Sequence, residues 1–335
     1  MARSENLILF LAIGSLAAAI LGLAYGSESI DTWSAIQAWA TQPRENWHSD
    51  SHILALRVPR VALAWLSGGA LAVSGAVLQT ILRNGLATPF TLGIASAGSF
   101  GAFLWLAFPA LGSTWLGATF LGPRLGAFIF ALGGLALVLA TARRSRHADG
   151  LLLAGITLSF LFAAGTMLVR HLAAPFQLAA MDRWLMGSLD VVTIDAAISP
   201  LPWLVVGIFL VARRASALDQ LALDEEMAQA RGVNVPKVRR EMLLGAGLLT
   251  AAIVARTGPI GFVGLLVPHA IRPFTGARHA HLLAGCWFAG GSFLVLADLA
   301  ARTLQITGRH SELPVGILTA LIGGPIFLRL LFRRP

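Results

Sequence analysis

Residues 213–240 read RRASALDQLALDEEMAQARGVNVPKVRR, a polar island between two long apolar segments. Asp224 is a good helix N-cap, because its carboxylate accepts from N–H groups that the first turn leaves free. Glu225 and Glu226 put negative charge on that first turn and Arg231 puts positive charge on the last, both complementary to the helix dipole. Gly232 is the expected stop, since a helix commonly ends on a left-handed glycine. Val235 precedes Pro236, so its backbone is pushed to the extended region, and the proline then suits the first position of a new helix. The stretch predicts a short helix, a sharp turn and a second helix lying at a membrane surface. With six basic and four acidic residues it equally suits a solvated connector, and from the residues alone both readings stand.

Outward from the island the chain is apolar. It is 56% hydrophobic and 12% charged, with a mean hydropathy of +0.75, far outside the range of soluble domains. The expectation is a polytopic all-α membrane protein, one transmembrane domain over 1–335. The nine excess positive charges do not point to nucleic acid, because the basic residues lie singly or in short groups between apolar runs and form no continuous basic face. Cys286 is the single cysteine, which excludes an intrachain disulfide and a cysteine metal cluster. Arg3 followed by Leu7–Ala24 resembles a signal peptide, but the apolar run is long enough to span, so an uncleaved first helix is expected.

A spanning helix needs about 20 apolar residues, and ten segments qualify. Their approximate limits are 7–26, 59–82, 88–108, 122–142, 151–170, 195–212, 240–256, 258–272, 282–302 and 313–332. Ten spans put both termini on one side. Placing them in the cytoplasm puts most of the basic residues inside, together with the 213–240 loop. Glycines scattered through the spans suit close helix packing in lipid.

Several chemistries are disfavoured by what is missing. Lys237 is the only lysine and follows Asn234, Val235 and Pro236 rather than a glycine-rich phosphate loop, so any ATPase would be another chain. Leu66, Ser67, Gly68 and Gly69 resemble the start of an ATPase signature but lie inside a span, where glycines serve packing. Neither a Gly-x-Ser-Gly sequence nor HExxH occurs. Asp298, four residues before Arg302, reads as a helical ion pair near the outer boundary. His269 reads as a structural histidine, and His279 and His281 are two apart, a spacing that points them in different directions. Arg57, Arg60 and Arg302 fall at the outer ends of spans. Either they present cations to the carboxylates of an extracytoplasmic partner or they anchor helix ends at the interface.

Longer blocks are more specific. RVPRVALAWLSGGALAVSGAVLQTILRNGLATPFTLGIASAGSFGA (57–102), GPIGFVGLLVPHAIRPFTGARH (258–279), LADLAART (296–303) and ELPVGILTALIGGPIFLRLL (312–331) resemble the permeases of iron-siderophore, haem and vitamin B12 ABC importers, in order and over nearly the whole chain. The resemblance implies a ten-span permease of the bacterial inner membrane that works as a homodimer. Two ATPase subunits, which bind ATP and Mg, would lie below it and a periplasmic binding protein above, with no cofactor, metal or nucleic acid held by this chain. It implies that Leu223, Glu225, Glu226, Met227, Arg231 and Gly232 couple to the ATPase, and that Arg57, Arg60 and Arg302 receive acidic residues of the binding protein. It also places cytoplasmic gates at Asn84 and Leu86 and at Ala148 and Asp149. Gly85 stands where the family usually has proline, and Ala148 and Asp149 stand where the B12 permease has small hydroxyl residues. That last departure argues against B12, and LATPFTLGIASAG (86–98) looks more like the siderophore permeases, so ferric siderophore is the first expectation for the cargo, haem the second and B12 the third. The rival class is a secondary transporter driven by an ion gradient, which would carry buried carboxylates or broken helices.

Overall fold

In lipid a backbone must satisfy its own N–H and C=O groups, and this chain does so with helices. The coordinates are those of a computed structural model, which describes residues 2–109, 122–144, 148–276, 278–304 and 312–332. Among the described residues the regular elements are all helical. They are α1 (Ala2–Ala24), α2 (Thr32–Thr41), α3 (Ser49–Ile81), α4 (Ile94–Ala107), α5 (Gly122–Arg144), α6 (Ala148–Leu172), α7 (Pro175–Met186) and α8 (Ile194–Ile198). There follow α9 (Leu201–Ala212), α10 (Ala215–Leu223), α11 (Glu225–Ala230), α12 (Val235–Thr257), α13 (Val263–Thr275), α14 (His279–Thr303) and α15 (Val315–Phe332), with a single 3₁₀ turn at Arg44–Asn46.

A helix occupies each of the ten apolar segments expected from the sequence, and among the described residues six stretches are long and apolar enough to cross a membrane by length and composition. Those six are Glu5–Ala24, Ser49–Ile81, Gly122–Ala142, Gly150–Leu172, Ile194–Ala212 and His279–Thr303. The limits differ from expectation at several helix ends, and three of the differences have a visible cause. α3 begins ten residues before 59, because Pro59 falls inside an already established helix rather than starting one. The third segment is shorter than 88–108: Pro89 and a left-handed Gly93 (φ 77°) hold residues 84–93 in turns, so α4 starts at Ile94. The eighth begins at Val263 rather than 258, after a loop through Gly258 (φ 70°) and Phe262 (φ 68°). Two helices, α2 and α7, fall in segments expected to be plain connections.

The core is built around α3, which packs on α14, α12 and α13. The crossings are close enough to require glycine. A Cβ placed on Gly75 would lie 1.8 Å from the carbonyl oxygen of Gly264, and one on Gly68 would lie 2.1 Å from that of Gly290. Gly68 and Gly69, the ATPase-signature lookalike, therefore serve packing against α14. α5 fills the other flank against α4 and α12, and α1 lies on α14 with the Trp65 indole N–H donating to Ser15 Oγ at 2.6 Å. α6 and α15 keep broad apolar faces exposed, including Phe160, Leu161, Leu168, Leu321 and Leu328.

Candidate functional site

Two polar regions lie at opposite ends of the helical body. Arg57 stands near the start of α3 and Thr80 at its end, roughly 34 Å apart along the helix.

At the Thr80 end, residues 213–240 fold as a pair of short helices feeding a long one. α10 is held by Ala215, Leu218 and Leu221, all buried. Asp224 is the N-cap of α11, its Oδ1 accepting from the Met227 N–H at 3.0 Å, as the sequence predicts. Gly232 is left-handed with φ 85° and closes the turn. Asn234 then caps α12 through the Lys237 N–H at 3.1 Å. Two expectations are corrected here. α10 precedes the predicted short helix, because its period of buried apolar residues outweighs the polar composition. The helix after Pro236 does not end at the surface but continues without a break as the apolar helix α12 to Thr257.

The loop's partner-facing candidates separate clearly. Leu223 and Met227 are 66% and 53% exposed, an unusual position for large apolar side chains in a polar loop. Glu226 and Arg231 are also exposed. Glu225 is turned inward, pairing with Arg239 at 2.9 Å, so it locks α11 to α12. Glu241 accepts from both Arg213 (3.0 Å) and Arg214 (2.7 Å), fixing where the loop leaves α9.

The gate candidates Asn84 and Leu86 lie at the same end. The Asn84 N–H donates to Gln79 O at 3.1 Å, and its side-chain Oδ1 accepts from the Leu86 N–H at 2.8 Å, leaving the Leu86 side chain 49% exposed. Gly85 has a local reason: a Cβ there would come within 3.1 Å of His269 Nε2. Ala148 and Asp149 open α6 by backbone, and their side chains fall outside the described part. His269 is structural, its Nδ1 lying 2.8 Å from Leu265 O. Among the described residues no group of His, Cys, Asp or Glu is arranged to hold a metal.

At the opposite end, Asp298 is buried at 1% exposure between two guanidinium groups. Arg60 reaches it through Nε at 3.0 Å and through a terminal nitrogen at 2.9 Å, and Arg302 makes a close ion pair at 3.0 Å without hydrogen-bond alignment. Arg60 also pairs with Glu312 at 2.6 Å and faces Asp190 at 3.9 Å. Arg57 is buried and donates to the carbonyls of Leu23 (3.0 Å), Ala24 (2.9 Å) and Glu28. Arg302 is buried too and donates to Gly22 O at 3.1 Å. Of the three arginines expected to receive acidic residues of a binding protein, burial forces Arg57 and Arg302 to find internal acceptors, and Arg60 is left partly open to the surface. Sequence reading found the Asp298–Arg302 pair from its spacing. It missed Arg60 as the second partner, because no local signal links positions 238 residues apart.

Between the ends, Phe90, Ser99, Phe103, Thr166, Met167 and Pro259 line a largely apolar cavity of about 480 Å³. Arg170 stands at its wall and pairs with Asp182.

Comparison with known proteins agrees with this layout. The hemin transport system permease protein HmuU of Yersinia pestis is 36% identical, over 97% of this chain and 96% of that protein. The Fe(3+) dicitrate transport system permease protein FecD of Escherichia coli K12 is 34% identical, over 98% of both chains. A solved structure described as an inward-facing conformation of a metal-chelate type ABC transporter superposes with a TM-score of 0.83 at 30% identity, covering 99% of this chain and 100% of that one. The FecCD transport family model matches residues 12–333, taking in both polar ends and the helices that join them, and the chain belongs to that family of ABC transporter permeases.

Proposed function

We propose that the chain is the membrane permease subunit of an ATP-driven importer that moves an iron chelate across the bacterial inner membrane. Ferric siderophore is the first candidate cargo, haem the second and vitamin B12 the third. In this reading ten spans place both termini in the cytoplasm. Two copies pair through the apolar faces of α6 and α15 and enclose the path, two ATPase subunits bind ATP and Mg, and a periplasmic protein delivers the chelate. Alternating access at the dimer axis performs the transport, so this chain needs no catalytic group.

The observation that carries the reading is the exposed pair Leu223 and Met227 beside Glu226, held on α10 and α11 by buried anchors. Apolar side chains presented on a rigid charged loop suit a protein partner better than a solvated connector. At the other end Arg60 is the docking cation. Glu312 and Asp190 occupy it when the binding protein is absent, while Arg57 and Arg302 hold the rim. The apolar cavity suits a large chelate held by shape, with Ser99 and Thr166 as its polar contacts.

An ion-coupled transporter would need a carboxylate free to take up and release a cation in the bilayer. Asp298 is instead neutralised by two arginines. A panel of chelates tested in proteoliposomes containing permease, ATPase and binding protein discriminates the readings. Uptake of an iron chelate that requires ATP and survives collapse of ion gradients is expected. Uptake driven by a proton or sodium gradient without the ATPase would overturn the proposal.

A further inference from the structure

A hydrogen-bonded chain joins the partner-facing loop to the gate loop. Asp219 lies on α10, four residues before the exposed Leu223. Its Oδ1 accepts twice from one residue of another helix, from the His279 backbone N–H at 2.5 Å and from His279 Nδ1 at 2.8 Å. The first of these bonds matters for α14, whose own N-cap residue, Arg278, makes no side-chain cap bond. One of the N–H groups left free at that helix start is therefore satisfied from the loop. Since Nδ1 faces a carboxylate, it carries the proton and donates it.

His279 is buried and its Nε2 lies 3.1 Å from Thr80 Oγ1, in the last turn of α3. The gate loop folds back on that same turn. The Arg83 N–H donates to Thr80 O at 3.2 Å and the Asn84 N–H to Gln79 O at 3.1 Å, with Arg83 in the left-handed region (φ 49°). Asn84 in turn fixes Leu86 through its side chain. Apolar anchors such as Leu218 and Leu221 can slide against their neighbours, whereas directed bonds to a buried imidazole keep one geometry.

We propose that Asp219, His279 and Thr80 form a positioning relay through which displacement of α10 is delivered to the gate at Asn84 and Leu86. The proposal rests on the coupling role given above to residues 213–240 and on the gate role that the family resemblance implies for Asn84 and Leu86. It adds a specific route, made of residues outside the coupling, docking and gate candidates named above. A purely structural role would lower assembly and every activity together; a relay separates hydrolysis from gate movement.

The test uses the complete complex of permease, ATPase and binding protein in liposomes, with Asp219→Asn, His279→Gln and the double variant. Uptake and ATP hydrolysis are measured in parallel, and hydrogen exchange is followed in the segment 82–93 with and without ATP. The relay predicts that complexes assemble and hydrolyse ATP while uptake per ATP falls on the order of 2- to 30-fold. The double variant should be no worse than the more impaired single one, and the ATP-dependent change in exchange at 82–93 should shrink with uptake. Should Asp219→Asn block assembly, Thr80→Val, which removes one hydroxyl, is read out in the same two ways. Unchanged uptake per ATP and unchanged exchange in variants of an active complex would overturn the relay while leaving the importer reading intact. Absence of ATP-driven uptake in the unsubstituted complex would remove both.

Discussion

Asp298 holds two guanidinium groups in a site with almost no water, so its charge cannot be removed quietly. Asp298→Asn would leave Arg302 facing a neutral acceptor while Arg60 keeps Glu312, and breaking such a buried pair costs about 3–5 kcal/mol. The expected result is a clear drop in the melting temperature of the detergent-solubilised permease; an unchanged melting temperature would show that the cluster is solvated. Arg60→Ala removes the hydrogen bonds to Asp298 and leaves it the Arg302 contact, so it should lower the melting temperature as well as weaken binding-protein docking, read as affinity at a temperature where the variant is folded. At this scale the sequence was informative only within one helical turn. The four-residue step from Asp298 to Arg302 was legible, as was the Asp224 cap. The partnership of Asp219 with His279 spans 60 positions and joins two helices whose order of packing no local pattern records, so the sequence shows His279 only as one of two histidines that point apart.

The elements show where periodicity and turn chemistry suffice and where they fail. Long apolar runs located the helices, but limits went wrong where a proline lies inside a helix, as at Pro59, or where a turn is as apolar as its neighbours, as at residues 84–93. α10 was hidden because its short apolar run, with one charge at Asp219, is bracketed by Arg213 and Arg214 on one side and Asp224 to Glu226 on the other. Two glycines give tests of different kinds. At Gly75 the obstacle is the backbone of α13, which cannot move aside as a side chain would. Gly75→Ala is therefore expected to separate α3 from α13 and sharply reduce folded protein, whereas Gly14→Ala, with nothing within 4 Å of the new Cβ, should be neutral by the same solubilised-yield assay. At Gly232 there is space but the wrong backbone region for a side chain, a cost of about 1–2 kcal/mol confined to the loop. Gly232→Ala should leave insertion intact and lower uptake per ATP in the reconstituted complex; normal coupling would mean that this turn is not part of the transmission.

At the scale of the whole molecule, α14 connects the two polar ends. His279 starts it at the loop end, and Asp298, roughly 28 Å further along, sits in the arginine cluster at the other. A permease that answers both a docking protein and an ATPase needs such a rigid member between its two surfaces. In the proposed importer the exposed Phe160, Leu161 and Leu321 of α6 and α15 would meet a second copy of the chain. None of this global arrangement is a property of one segment. It came into view in the sequence only through long blocks shared with a family, and the internal pairing of Arg57 and Arg302 shows what such a match leaves out. The central claim is that ATP hydrolysis outside this chain drives transport through residues 213–240. Its most direct test is the number of chelate molecules imported per ATP hydrolysed, compared between the unsubstituted complex and Glu226→Lys. Import that depends on ATP, with the ratio falling in the variant while the permease still inserts and pairs, is the predicted result; an identical ratio in the two complexes, or import without the ATPase, would contradict it.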